Sequence, residues 1–168
     1  FIRPQDLATD TSSMIDVVIH AVESVVESGW VPDMIVLLQP TSPFRNSSDL
    51  KSALTLMQRK QSVDSVVSVE TVPSHFSPHY VMKIDENGML ENYLQDGVNI
   101  TRRQDAPIAY SRNGQFYVSR YKTIIEKKSI YGEYCIPFVT SHDAVNLDTM
   151  SDWKLAIDKI NELKLRNE

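Results

Sequence analysis

Apolar positions along the chain fall into short blocks of two different periods. Residues 10–28, DTSSMIDVVIHAVESVVES, place Met14, Ile15, Val18, Val22, Val25 and Val26 at helical spacing, and Val17, Ile19 and Ala21 widen the stripe. Asp10, Thr11 or Ser12 can cap that helix and Gly29 can stop it. Residues 34–38 form a continuous apolar run of strand length, which suits a central parallel strand covered on both faces. A second helix is predicted over 48–59, with Leu50, Ala53, Leu54 and Met57 on its apolar side and Ser47 or Ser48 as its cap. A strand at 63–69 completes a strand–helix–strand unit, whose crossover should be right-handed.

The pattern then changes. HYVMKIDENGMLENYL holds two β-type segments around Asp85-Glu86-Asn87-Gly88, a hairpin signal. A polar stretch without periodicity follows, up to Gly114. Regular patterning resumes with a strand at 115–119, a short helix near 120–128 and a strand at 134–139. A closing helix is predicted at 151–165, with Trp153, Ala156, Ile157, Ile160 and Leu163 facing inward. The expected fold is a single α/β domain over 1–168, a three-layer sandwich with a mostly parallel sheet and an antiparallel arm inserted at 73–112.

Composition narrows the classes. The 168 residues can bury a sizeable core, and the shares of hydrophobic (42%) and charged (23%) residues are ordinary for a globular chain. No apolar run approaches the roughly 20 residues of a membrane span, and the start lacks the pattern of a secretory signal. The lone Cys135 excludes an internal disulfide and a multi-cysteine metal site, so a cytoplasmic location is expected. A net charge of −5 argues against general nucleic-acid binding, but leaves room for a small anion held by a few arginines.

Three stretches could carry chemistry. LLQPTSPFR stiffens a polar loop with Pro40 and Pro43 just beyond the run at 34–38, where open parallel sheets bind ligands. Gln39, Thr41 and Ser42 can donate and accept hydrogen bonds there, and Arg45 offers a fork for carboxylate or phosphate. The plainer reading is a proline-stabilised turn leading into a capped helix. TRRQD sets Arg102 and Arg103 side by side, suited to bidentate anion capture or simply solvated. VNLDTMSDW puts Asp148 after an apolar strand, where one carboxylate can serve Mg²⁺, and Asp152 or Ser151 can cap the helix. The four histidines show no metal-ligand spacing, and no GxSxG, HExxH or Walker A glycine loop is present.

Taken in order, RPQDLATDTSSMIDVVIHAVE, LLQPTSPFRNSSDL, RRQDAPIAYSRNGQFYV and VNLDTMSDWKLA resemble the acylneuraminate cytidylyltransferase (CMP-N-acetylneuraminate synthetase) family over essentially the whole chain. The resemblance implies a Rossmann-like nucleotidyltransferase domain that joins CTP to a nine-carbon 2-keto sugar acid and releases pyrophosphate with Mg²⁺ or Mn²⁺. It implies nucleotide contacts at Arg3, Ser12 and Ser13. Gln39, Thr41, Ser42, Arg45, Arg102, Arg103, Gln104 and Asn113 are implied on the sugar side, with Gln39, Arg102 and Asp148 at the reacting centre. The inserted arm resembles a dimerisation element, so a homodimer is expected. Where the family carries Asp-x-Asp before its last helix this chain has Asn146 and Asp148, which become the implied metal ligands, with weaker Mg²⁺ binding expected. The family's first strand and its basic nucleotide loop have no counterpart here, so the chain is expected to begin after them and to need a dimer partner or complementing segment for stability. A non-catalytic sugar-acid-binding or dimerisation module is the alternative reading.

Overall fold

The computed structural model describes residues 1–95, 100, 102, 105–140 and 144–165. The elements run α1 (Met14–Glu27), β1 (Met34–Leu37), α2 (Ser47–Arg59), β2 (Ser65–Thr71), β3 (Met82–Ile84), β4 (Leu90–Asn92), β5 (Tyr110–Arg120), α3 (Tyr121–Ile125), β6 (Cys135–Val139) and α4 (Met150–Leu165). Four strands form the main sheet in the order β1-β5-β2-β6, and β3 and β4 make a separate antiparallel hairpin. β5 is antiparallel to both β1 and β2, whereas β6 is parallel to β2. Thus β1, β2 and β6 all point the same way, but β5 lies between β1 and β2. The expectation of a mostly parallel sheet is corrected to a mixed one, and β1, expected as a central parallel strand, stands at the end of the order among the described residues and pairs antiparallel. The arm's expected boundary also moves, because residues 110–112 pair with Val69–Thr71 and belong to β5.

Alternation along the strands sends successive side chains to opposite faces, and helices cover both. Ala53 and Met57 of α2 pack on Val66, Phe116 and Val118, joined by Met34 and Val36. On the other face Val18 and Val22 of α1 pack with Ile124 of α3, Ile35 and Leu37. The result is the expected three-layer α/β arrangement. Asn46, rather than Ser47 or Ser48, caps α2, its side-chain oxygen accepting from Ser48 N at 2.9 Å. α1 starts where its apolar stripe does, at Met14, but Ser13 stands at its cap instead of Asp10, Thr11 or Ser12 and makes no side-chain capping bond. Arg120 closes the far end of α2: its Nε donates to Val63 O and a terminal nitrogen to Met57 O, both at 2.7 Å. Bonds from a charged donor of this kind each contribute about 1.5–3 kcal/mol.

A second clamp holds the turn before β6. Both Asp64 oxygens take Lys127 Nζ at 2.9 Å, and Oδ2 also accepts from Glu133 N and Tyr134 N at 2.9 and 3.0 Å. Those donors pull the Asp64 carboxyl down to about 2, the Tyr134 backbone bond being the largest cause. The closing helix departs from expectation. Of its predicted inner face only Ala156 is buried, while Trp153, Ile157, Ile160 and Leu163 are exposed. No helix among the described residues is long and apolar enough to cross a membrane.

Candidate active site

The site begins with a break in the ladder between the two central strands. While β2 advances from Val67 to Val69, its partner residue on β5 jumps from Tyr117 to Arg112, so Asn113–Phe116 have no Cα partner on β2. Ser68 bridges the gap: its hydroxyl donates to Phe116 O and accepts from Phe116 N, both at 3.0 Å. Gly114, at φ +69°, turns the looped-out segment. Such bulges redirect side chains and are frequent beside active sites.

The QPTSPFR loop docks on that bulge. Gln39-Pro40-Thr41-Ser42 closes as a turn with Ser42 N donating to Gln39 O at 3.1 Å, and proline at its second position presets the backbone. The buried Ser42 hydroxyl lies 3.1 Å from Asn113 O and 3.0 Å from Asn146 Oδ1, two acceptors for one proton. Leu147 N donates to Thr41 O at 2.8 Å, which pins the segment before α4 to the same loop. Lys159 of α4 sits 5.4 Å above the Phe44 ring. Asn113, also buried, donates from Nδ2 to Thr140 Oγ1 at 2.8 Å and accepts from Gln115 N at 3.3 Å. Loop, bulge and pre-α4 segment therefore form one hydrogen-bonded unit.

This unit borders an open cavity of about 410 Å³. Gln39, Asn113 and Asn146 line it from the expected set, and Glu70, Arg112, Gly114 and Tyr117 line it without having been expected. Arg112 donates to the Tyr131 hydroxyl and lies 5.6 Å from that ring's centre, and Tyr131 meets Tyr117 edge-to-face at 6.2 Å. The hydrogen bond to Tyr131 holds the Arg112 guanidinium above its ordinary pKa, and burial raises that of Tyr117. The sequence does carry a signal for the bulge, since glycine inside an otherwise β-forming run marks a bulge or a close backbone approach. A single Arg112 carries no such signal.

Other expected residues fare differently. Arg45 turns inward, donating to Gln39 O and, at 2.7 Å, to Gln115 O, and burial lowers its pKa. It braces the loop against the bulge and does not present its fork to a ligand, which corrects its reading as a substrate contact. Thr41 is half-buried and contributes its carbonyl. Arg102 is exposed and does not line the cavity. Arg103 and Gln104 lie outside the described residues. Arg3 and Ser13 are exposed, and among the described residues Ser12 makes only local bonds, to Thr9 and Asp6 O. None of these three lines the cavity.

Asp148 is exposed, and Asn146 turns its amide nitrogen toward Asp148 Oδ2 at 2.5 Å. Asp152 accepts from Thr149 N at 2.6 Å and Asp148 N at 3.1 Å, while Asp152 N donates back to Thr149 Oγ1 at 3.3 Å, the reciprocal arrangement of a capping box. Those bonds lower the Asp152 pKa, the Thr149 hydroxyl first among them. Among the described residues no three His, Cys, Asp or Glu side chains gather at a point that could hold a metal ion.

Comparison with known proteins places this architecture. No protein-family model matches the chain. Among solved structures it is similar to CMP:2-keto-3-deoxy-manno-octonic acid synthetase complexed with CTP, with a TM-score of 0.57 at 12% identity over 95% of this chain and 70% of that one. It is also similar to 4-diphosphocytidyl-2C-methyl-D-erythritol synthase from Anaerococcus prevotii, with a TM-score of 0.57 at 9% identity over 90% of this chain and 68% of that one. The fold is that of the Rossmann-like nucleotidyltransferases. In sequence the chain is 35% identical over 166 residues to CMP-N,N'-diacetyllegionaminic acid synthase of Legionella pneumophila, covering 97% of this chain and 68% of that protein. It belongs to the CMP-sialic-acid-synthetase family. N-acylneuraminate cytidylyltransferase of Escherichia coli is 27% identical over 93% of the chain, which spans 36% of that protein. Pseudaminic acid cytidylyltransferase of Campylobacter jejuni is likewise 27% identical over 93%, and the chain spans 66% of it.

Proposed function

We propose that the chain carries the sugar-acid half of a cytidylyltransferase site, transferring CMP from CTP to the anomeric hydroxyl of a nonulosonic acid. The observation that carries this reading is the docking of the QPTSPFR turn on the Asn113-Gly114 bulge, which borders a polar cavity in a chain of this family. In the reaction the anomeric oxygen attacks the α-phosphorus, a new P–O bond forms, the bond to the β-phosphate breaks, and pyrophosphate leaves as the hydroxyl gives up its proton. Little covalent work falls to the protein, so alignment and charge stabilisation supply most of the acceleration.

Gln39, Asn113 and Asn146 suit this task, since carboxamides donate and accept toward hydroxyl and acylamino groups. Mg²⁺ commonly takes one or two carboxylates and completes its shell with phosphate oxygens and water. Asp148, exposed beside the cavity wall, fits such a contribution. Asn146 does not fit as oriented, because its oxygen accepts from Ser42 and its nitrogen faces Asp148. The ion would offset charge on the departing pyrophosphate. The arm supports a homodimer, because an isolated two-stranded hairpin is marginal in water and Met82, Ile84, Met89 and Leu90 are exposed on this one. Light scattering should give twice the monomer mass, and a monomer at micromolar concentration would count against it. The lone cysteine, Cys135, suits a cytoplasmic enzyme.

Pyrophosphate release is the deciding assay. The full-length protein should release it from CTP only when Mg²⁺ and N-acetylneuraminate, N,N'-diacetyllegionaminate or pseudaminate are present. Asp148→Asn should reduce release by about 100-fold, in the range seen when a charge-stabilising group is removed. Sugar-acid binding without release from any of the three would show a module that binds and does not turn over.

A further inference from the structure

We infer that Thr140 sets the orientation of the Asn113 carboxamide at the cavity wall and is thereby a positioning residue for the sugar acid, an assignment that rests on the function proposed above. Thr140 follows directly on β6 and extends its pairing, since its N–H donates to Val69 O at 2.9 Å. That bond seats a buried hydroxyl beside the break in the ladder between β2 and β5. The hydroxyl lies 3.3 Å from Val69 O and 2.8 Å from Asn113 Nδ2. An amide nitrogen has no lone pair to offer, so in the second contact Asn113 can only donate and Thr140 only accept. The hydroxyl's single proton is left for Val69 O. A chain of donors thus runs from Asn113 through Thr140 to β2.

This chain selects one of the two ways an asparagine amide can face. With the amide reversed, Asn113 Nδ2 would meet the N–H of Gln115, which now donates to Oδ1 at 3.3 Å. Thr140 would also have to withdraw its proton from Val69 O. Asn113, Gln115 and Thr140 are all buried, where an unmade hydrogen bond costs most. Of the two contacts that hold the amide, the one to Thr140 is the shorter and therefore the firmer anchor. Among the described residues the second N–H on Nδ2 and the second lone pair on Oδ1 have no partner. Asn113 lines the cavity, so a hydroxyl or acylamino group of the sugar meets one donor and one acceptor in fixed places. Remove the Thr140 hydroxyl and the carboxamide keeps only its weaker anchor.

In the full-length protein, Thr140→Val should raise the KM for whichever of the three sugar acids supports pyrophosphate release by about 5- to 10-fold, the worth of one neutral hydrogen bond. The kcat and the KM for CTP should stay within about 2-fold, because a contact made equally in ground and transition states acts on binding alone. Thr140→Ser keeps the hydroxyl and should bring the sugar KM back to within about 2-fold of wild type. In an Asn113→Ala background Thr140→Val should add less than about 2-fold, since nothing is left for it to position. A second readout needs no turnover: the two Nδ2 protons of Asn113 in a ¹H–¹⁵N spectrum, assigned by their loss in Asn113→Ala. Thr140→Val should shift both and speed the solvent exchange of the one that Thr140 accepts. An unchanged sugar KM in Thr140→Val overturns the inference, as does an equal loss in Thr140→Ser or a full-sized one in the Asn113→Ala background. A wild type that releases no pyrophosphate with any of the three acids overturns the proposed function and the sugar-binding role of Thr140 with it. The spectra still decide the orientation in that case, and Nδ2 resonances left unmoved by Thr140→Val overturn it too.

Discussion

Gly114→Ala is expected to lower pyrophosphate release by about 100-fold, the scale on which a displacement near 1 Å acts on a reaction governed by alignment. The backbone there has φ +69°, and a Cβ would sit 2.5 Å from Gln39 Oε1 and 2.6 Å from Ser42 Oγ. Gln39 can swing its amide away, but only by leaving the cavity. Ser42 has no such freedom, because its short side chain is buried between Asn113 O and Asn146. Left-handed backbone costs a residue with a Cβ about 1–2 kcal/mol, and disturbing the Ser42 bonds adds about 1 kcal/mol. The total lowers the melting temperature by several degrees in a chain of this size and leaves it folded. Gly29→Ala is the control: φ is +93° and its Cβ meets nothing within 4 Å, so it carries the strain alone. Its melting temperature should fall slightly and its turnover should stay at the wild-type level. Equal turnover losses in both variants would show that backbone strain, and not the contact with the loop, governs the site.

Asp64→Ala should cost about 2–3 kcal/mol of stability at pH 7, because two main-chain donors and Lys127 lose one acceptor together. The pH dependence follows from the depressed carboxyl. Its folded value of about 2 lies below the ordinary 3.8, so the unfolded chain takes up the proton first as pH falls. The ionic part of the stabilisation is therefore complete above about pH 4 and is lost between about pH 4 and pH 2. Each tenfold change in proton affinity between the folded and unfolded chain is worth about 1.4 kcal/mol. The partner Lys127 is 41% exposed, so solvent screening brings the contribution to about 1–2 kcal/mol. Urea unfolding of wild type and Asp64→Asn at pH 7 and pH 2.5 separates the parts. A gap that closes at low pH is expected, and a gap of constant size would mean that the carboxylate's charge plays no part.

The helices over Met14–Glu27 and Ser47–Arg59 are legible because their apolar residues repeat with the helical period, and β1 because its run is short and unbroken. Pairing partners are not. Periodicity says which face of a strand is buried and is silent on its neighbours, so the seating of β5 between β1 and β2 has no signature in the sequence. Asn46 is hidden by two serines that stand equally well for the cap. Arg45 misleads for a physical reason: a guanidinium satisfies carbonyls as well as it binds anions, and only the fold decides which it meets. The exposed stripe on α4 has the same origin, since an amphipathic pattern shows that a face is apolar without showing what covers it. Gln39 and Ser42 are legible together because two prolines fix the loop that carries both, which sequence does display, whereas Asn113 and Asn146 enter only through the resemblance to the family. Glu70, Arg112 and Tyr117 reach the cavity through strand pairing alone.

The position of β5 also fixes the order in which the molecule can assemble. Among the described residues β1 hydrogen-bonds only to β5, and β2 pairs with β5 and β6. During synthesis, then, β1 and β2 emerge well before these partners, which come only once residue 110 and beyond have been made. Contacts so distant along the chain slow folding, because loop closure has to precede the pairing that rewards it. That closure cost grows only with the logarithm of loop length, about 0.6 kcal/mol for each doubling. The segment between β2 and β5 is thus free to lengthen or shorten in evolution with little effect on the sheet it interrupts.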